Sequence, residues 1–194
     1  MRFYFVRHAE STSDIEDKYG GDYDDSLTVK GQSQAKSLGL ELENEGIKKV
    51  YHSPKHRAKE TAFIANDFIK ADLIEVEDLR ERNNYGVLTG LTKLEGKEKF
   101  PLEASKVKGN KMFHDILGSE SYEGFCIRVK SCFYNILKEN TNTFAIFSHG
   151  GFMFVLVREI LGLGEVKYKD CAYLEIEYEN EKFKVLNKVR CEFN

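Results

Sequence analysis

The sequence predicts an α/β fold, a three-layer sandwich in which helices flank a mostly parallel central sheet. Three observations carry this reading. Short apolar runs such as Phe3-Tyr4-Phe5-Val6 and Phe144-Ala-Ile-Phe147 alternate along the chain with stretches of helical periodicity. Two histidines, His8 and His149, follow directly on such runs, where a strand gives way to a loop. The chain has 194 residues, 41% of them hydrophobic and 31% charged, the balance of an ordinary globular protein with a substantial core.

Each element has its own warrant. Residues 2–6 form the first strand, and the polar, Asp- and Gly-rich residues 9–26 a loop. Thr28 is the N-cap of a helix that runs to about residue 45, with Leu38 and Leu42 on its apolar stripe and Gly46 closing it. Residues 49–52 make a short second strand. A helix over 54–70 starts with Ser53 as N-cap and Pro54 in its first turn, and carries Ala58, Ala62, Ala65 and Ile69 on one side. Residues 73–76 make a third strand and 80–90 a glycine-punctuated loop. Two helical pieces flank Pro101. Phe125, Val129, Phe133 and Leu137, four apart, predict a helix over 122–138. After the apolar strand 144–147, a buried helix covers 150–161. The chain ends in a hairpin of 171–178 and 183–189 turning at 179–181. All of this reads as a single domain over 1–194, with a small cap-like insertion around 91–121.

Composition excludes several classes. A net charge of −3 gives no electrostatic footprint for duplex nucleic acid, although a few arginines suffice for a local anion pocket. No run of 18 apolar residues predicts a membrane span. The apolar stretch between Arg2 and Arg7 is too short for a signal-peptide core. Cys126, Cys132, Cys171 and Cys191 form no Cys-x-x-Cys pair and read as reduced structural thiols of a cytoplasmic protein. Neither nucleic acid nor a membrane is an expected partner; the ligand expected is a small anionic molecule.

The chemistry collects at strand ends, where open α/β sheets bind ligands. Arg7 and His8, Arg57 one turn into its helix, and His149 can converge there. Two guanidiniums offer planar forks of donors to phosphate oxygens. They also raise the cost of protonating His8, and a neutral imidazole has a lone pair that can attack phosphorus. The helix after His149 adds backbone N–H donors. Glu81, just after the third strand, is the best-placed carboxylate to protonate a leaving oxygen and later to activate water. No metal or other cofactor is needed. His52 and His56 have metal-pair spacing, but no third ligand accompanies them, so they read as an ordinary strand-end pair. His114 is expected on the surface.

Five ordered motifs sharpen this. Arg7-His8-Ala9-Glu10-Ser11 resembles the Arg-His-Gly-Glu-Thr signature of the histidine phosphatase (phosphoglycerate mutase-like) superfamily, the branch with the Arg-His-Gly motif. The stretch from Gly21 through Asp24, Leu27, Thr28 and Gly31 to Gln34-Ala35 is similar to the segment leading into that family's first helix. Ser53-Pro54-x-x-Arg57-Ala58 resembles its second arginine motif. Leu79-Arg80-Glu81-Arg82 with Tyr85-Gly86 resembles its acid loop, and Ser148-His149-Gly150-Gly151 its second histidine motif.

The resemblance implies a nucleophilic His8 and a proton-donating Glu81. It implies a small phosphorylated substrate, with phosphate contacts from Arg7, Arg57 and His149, and a substrate contact from Arg82. Ala9 replaces the usual glycine, and Asp14 stands where many members carry an asparagine. The acidic run from Asp14 to Asp25 is read as a solvated loop, or more sharply as a selector against highly anionic substrates. A phosphatase is favoured, because mutases of this kind carry a longer closing segment than 91–121. The alternatives are a phosphoglycerate mutase, a non-catalytic phospho-ligand-binding module and a metal-binding protein.

Overall fold

The structure is a computed structural model that describes residues 1–109 and 111–193. In chain order its elements are β1 (Arg2–Arg7), the one-turn helix α1 (Thr12–Ile15), α2 (Val29–Leu42), β2 (Lys49–His52), α3 (His56–Ile69), β3 (Asp72–Glu75), α4 (Lys93–Lys99), α5 (Pro101–Lys106), α6 (Tyr122–Lys138), β4 (Phe144–Ser148), α7 (Gly150–Val155), β5 (Val166–Glu179) and β6 (Lys182–Phe193). The six strands form one sheet in the order β3-β2-β4-β1-β5-β6. The first four run parallel, and the β5–β6 hairpin adds antiparallel to β1.

Side-chain alternation along the central strands makes the three layers. Phe3 and Phe5 of β1, with Phe144 and Ile146 of β4, pack under α6 and α7. Tyr4 and Val6, with Ala145 and Phe147, face α2 and α3. The strands are therefore apolar on both faces, as a parallel sheet covered on both sides requires. The α6 stripe of Phe125, Val129, Phe133 and Leu137 is buried, and the Ser121 hydroxyl caps the helix by accepting from Gly124 N at 3.0 Å. Thr28 likewise caps α2, accepting from Gly31 N at 2.9 Å.

Several boundaries differ from expectation. The helix α3 starts two residues later than predicted, at His56, and Ser53 does not cap it. The Asp24 carboxylate does so instead, accepting from His56 N at 2.8 Å, a partner remote in sequence. Residues 9–26 are not a bare loop: α1 lies within them, Ser11 pairs with Leu27 and Lys18 with Thr92. Tyr19 from this stretch joins Leu88 and Ile116 in a small separate apolar cluster. After Val155 the last predicted helix widens, with Leu161 N bonding Leu156 O. The hairpin is longer at both ends, because its flanks carry Lys167, Lys169, Asp170, Arg190 and Glu192 and so hide the apolar signal.

Two features aim the site. Arg7 pairs with Ser148 across β1 and β4, so His8 and His149 leave the sheet side by side. In the hairpin, residues 169–172 bulge opposite the single Arg190, with Cys171 at φ +52°. The bulge lets Cys171 N donate to His8 O at 3.2 Å.

Gly31 fixes how closely α2 approaches the chain after β1, since a Cβ there would lie 2.1 Å from Glu10 O. Gly31→Ala is expected to destabilise the fold by roughly 2 kcal/mol through this backbone clash, measured by urea unfolding. An unchanged midpoint would mean that the contact relaxes freely.

Candidate active site

His8 ends β1 and is 4% exposed. Its Nδ1 lies 2.8 Å from Ala9 O, which can only accept, and its Nε2 lies 3.1 Å from Arg57 Nε, which can only donate. The tautomer follows: the hydrogen is on Nδ1, and Nε2 presents a lone pair. Burial, reinforced by the Arg7 and Arg57 cations, pushes the His8 imidazole well below its usual pKa. The next residue is held as well, with Ala9 N donating to Thr61 Oγ1 at 3.1 Å.

Arg57 is buried and Arg7 half-buried, and both are compensated. Arg7 Nη1 donates to Asp170 Oδ1 at 2.5 Å and its guanidinium stacks on the Tyr168 ring, while its buried Nε has no partner. Arg57 donates from Nη1 to Asp25 Oδ1 at 2.7 Å and to Tyr23 O at 2.6 Å, and from Nη2 to Gly21 O at 2.8 Å. Burial alone would raise the Asp25 carboxyl, but Arg57 and the Ser13 N–H outweigh it and hold it below the usual carboxylate range.

Glu81 accepts from Arg82 N at 2.9 Å and from Gly151 N, at the start of α7, at 3.0 Å. A Cβ at Gly151 would come within 2.2 Å of Glu81 Oε1, so a larger residue there would push the carboxylate aside. Arg7, His8, Arg57, Glu81 and Arg82 all line one polar cavity of about 150 Å³, together with Ser11, Ser13, Asp14, Lys18 and Gly150.

Two expected site residues are placed differently. His149 is fully buried and does not line the cavity. It stands behind His8, ring centroids 5.2 Å apart, with Nε2 bonded to Ser53 Oγ at 2.8 Å and Nδ1 unpartnered. Ser53, read as a helix cap, is therefore its anchor. Arg82 is expected to contact substrate, yet its guanidinium donates to the backbone carbonyls of Met112, His114 and Glu120. It pins the segment before α6 to the acid loop, because those buried carbonyls need donors.

His114 is buried, not exposed, and its Nε2 donates to Lys108 O at 3.1 Å. His52 is buried and bonds Ser53 O, whereas the His56 side chain is 60% exposed beside Asp24. Among the described residues, no group of three or more His, Cys, Asp or Glu is arranged to hold a metal, and no helix is long and apolar enough to cross a membrane.

Sequence reasoning missed Asp170 and the anchoring use of Asp25. Asp25 sits one residue past a motif position, within reach of a motif-based reading. Asp170 carries no signal, because a bulge that no pattern announces delivers it to Arg7.

His149, like His8, is held neutral, in its case by burial and then by the Arg57 and Arg7 cations. Unfolded, each imidazole titrates near pH 6.5, so below that pH the unfolded chain binds protons that the folded chain refuses. Stability is expected to be flat in these groups above about pH 7 and to fall below about pH 6.5 by up to ~1.4 kcal/mol per pH unit for each histidine. Urea unfolding between pH 7.5 and 5.5 measures it, and a level profile would mean that the folded imidazoles take up protons. Arg82→Met is expected to cost roughly 3 kcal/mol by leaving buried carbonyls without donors. It should also speed amide exchange in residues 112–120, and protection equal to wild type there would show that Arg82 does not pin the segment.

A neutral imidazole between two guanidiniums, with a carboxylate lining the same cavity, accords with the proteins that this chain resembles. The chain is 29% identical over 171 residues to phosphoserine phosphatase 1 of Hydrogenobacter thermophilus, covering 87% of this chain and 80% of that protein. Its fold matches the crystal structure of the alpha-ribazole phosphatase from Shigella flexneri with a TM-score of 0.84, covering 98% of this chain and 96% of that one at 20% identity. It also matches a phosphoglycerate mutase from Bacillus anthracis with a TM-score of 0.79, covering 97% and 92% at 22% identity. The model of the histidine phosphatase superfamily (branch 1) matches residues 3–189, and the chain belongs to that superfamily.

Proposed function

We propose that this protein is a phosphatase that hydrolyses phosphomonoesters of small molecules through a covalent phosphohistidine on His8, without metal or other cofactor. The observation that carries this reading is the fixed tautomer of His8: an imidazole held neutral lines the cavity, and its Nε2 lone pair faces Arg57, which lines the cavity too. The phosphatase name of the Hydrogenobacter relative supports the reaction class.

In the first step the substrate phosphoryl group displaces the Arg57 Nε–H from that lone pair, and Nε2 forms the P–N bond as the ester P–O bond breaks. Arg57 Nε–H and the unpartnered Arg7 Nε–H then serve phosphoryl oxygens, as preorganised donors where charge develops. The leaving oxygen takes a proton from Glu81. In the second step water gives a proton to Glu81 and attacks phosphorus. The P–N bond breaks, its electron pair returns to Nε2, and inorganic phosphate leaves.

His149 is a positioning residue behind His8 in this scheme, tied to Ser53. Arg82 holds the segment that closes one side of the cavity. We read residues 91–121 as a cap-like insertion on a single domain.

The test is phosphate release across a panel of small phosphomonoesters. His8→Ala is expected to lower the rate by about four orders of magnitude or more. Glu81→Gln should slow it by about a hundredfold and flatten its pH profile. A wild-type enzyme quenched during turnover should carry acid-labile phosphate that the His8 variant lacks. Full turnover in the His8 variant would overturn the mechanism. A mutase would instead interconvert phosphoglycerates with a bisphosphoglycerate primer and release little phosphate.

A further inference from the structure

We propose that Asp14 sets the substrate class: the cavity takes phosphomonoesters that carry an ammonium group close to the ester oxygen, and disfavours those with a second anionic group. The proposal deepens the phosphatase reading and rests on it.

The argument is one of charge. Four cations line the cavity, and each is already engaged. Arg7 is paired with Asp170 at 2.5 Å, Arg57 with Asp25 at 2.7 Å and Lys18 with Glu16 at 2.5 Å. The Arg82 guanidinium is spent on backbone carbonyls. Two carboxylates line the same cavity. Glu81 has both oxygens on backbone N–H groups. Asp14 uses Oδ2 to accept from Ser11 N at 2.9 Å and Ser11 Oγ at 3.0 Å, whereas its Oδ1 lies 3.8 Å from Arg7 Nη2, too far for a hydrogen bond.

A phosphoryl group that enters therefore meets two guanidiniums whose charge is largely balanced, with the Asp14 carboxylate beside them. Among the described residues lining the cavity, no cation is left to receive a second phosphate or a carboxylate on the same substrate. Such a group would face Asp14 at close range, where like charges repel. An ammonium group would instead find Asp14 Oδ1 with no hydrogen bond of its own. Asp14 and His8 line the same cavity, so an ammonium group close to the ester oxygen is the one that Asp14 can reach.

The rest of the acidic run does not share this role. Asp22 pairs with Lys55, Asp24 caps α3 and Asp25 holds Arg57, while Asp17 lies outside the cavity.

The experiment compares kcat/KM for phosphoethanolamine, glycerol phosphate and phosphoglycerate in wild type, Asp14→Asn and Asp17→Asn. The amide oxygen introduced by Asp14→Asn can keep both bonds from Ser11, so the variant is expected to fold. Wild type should prefer phosphoethanolamine to glycerol phosphate, and glycerol phosphate to phosphoglycerate. Asp14→Asn should reduce the ratio of the first to the last by about tenfold, and Asp17→Asn should leave it as in wild type. No preference for phosphoethanolamine in wild type, an unmoved ratio in Asp14→Asn, or an equal shift in Asp17→Asn would overturn this inference alone. If wild type releases phosphate from none of the three esters, the phosphatase reading falls and this inference with it.

Discussion

Two guanidiniums, one buried and one largely so, beside an uncharged imidazole form the constraint on which the site, and much of the fold around it, depends. A buried arginine is tolerated only with a countercharge and with acceptors for its N–H groups. Arg7 obtains Asp170 from a bulge in β5, and Arg57 obtains Asp25, Tyr23 O and Gly21 O from the loop after α1. The bulge and the folded loop are thus the structural consequence of placing both cations next to His8. The same bulge fixes the His8 carbonyl through Cys171 N, and so ties the hairpin at the sheet edge to the end of β1.

That constraint also decides what His8 can do. With both neighbours cationic and the ring buried, the protonated form is disfavoured, and Ala9 O takes the single hydrogen on Nδ1. In the structure the remaining lone pair faces Arg57 Nε–H. On the proposed mechanism this donor is the one that a phosphoryl oxygen would inherit, so little reorganisation accompanies binding. Ser53 and Thr61 complete the support: one holds His149 beside His8, the other joins the backbone after His8 to α3.

The sequence made the sheet legible because central strands covered on both faces read as plain apolar runs, and made α6 legible because its stripe has an unbroken four-residue spacing. It also pointed to the neighbourhood of His8, Arg57 and Glu81, since residues that end strands or open helices have their positions set by those elements. What stayed hidden depends on contacts between distant segments. The Asp24 cap on α3, the bulge carrying Asp170 and the burial of His114 against Lys108 O leave no local pattern. Arg82 shows the limit most clearly. An arginine beside a carboxylate in an acid loop looks like a substrate contact, and only the fold reveals three backbone carbonyls converging on it. The acidic run is solvated as its charge suggests, with Asp14, Glu16, Asp17 and Asp24 exposed, but most of its carboxylates also serve as caps and counterions that no local pattern announces.

The choice between hydrolysis and intramolecular transfer turns on the segment that Arg82 pins. A mutase must keep a phosphohistidine dry while the partner molecule turns to present its other oxygen. That requires room for two phosphoryl groups and positive charge for both. Here the wall near Met112 is tied by Arg82, and the small cluster of Tyr19, Leu88 and Ile116 packs nearby. The cations that line the cavity are already paired or spent on backbone carbonyls, and the Asp14 carboxylate lines it with them. Such a charge balance suits one phosphoryl group better than two. Once the leaving group departs, the space and the Glu81 carboxylate are left to water, and hydrolysis is the outcome that this geometry favours.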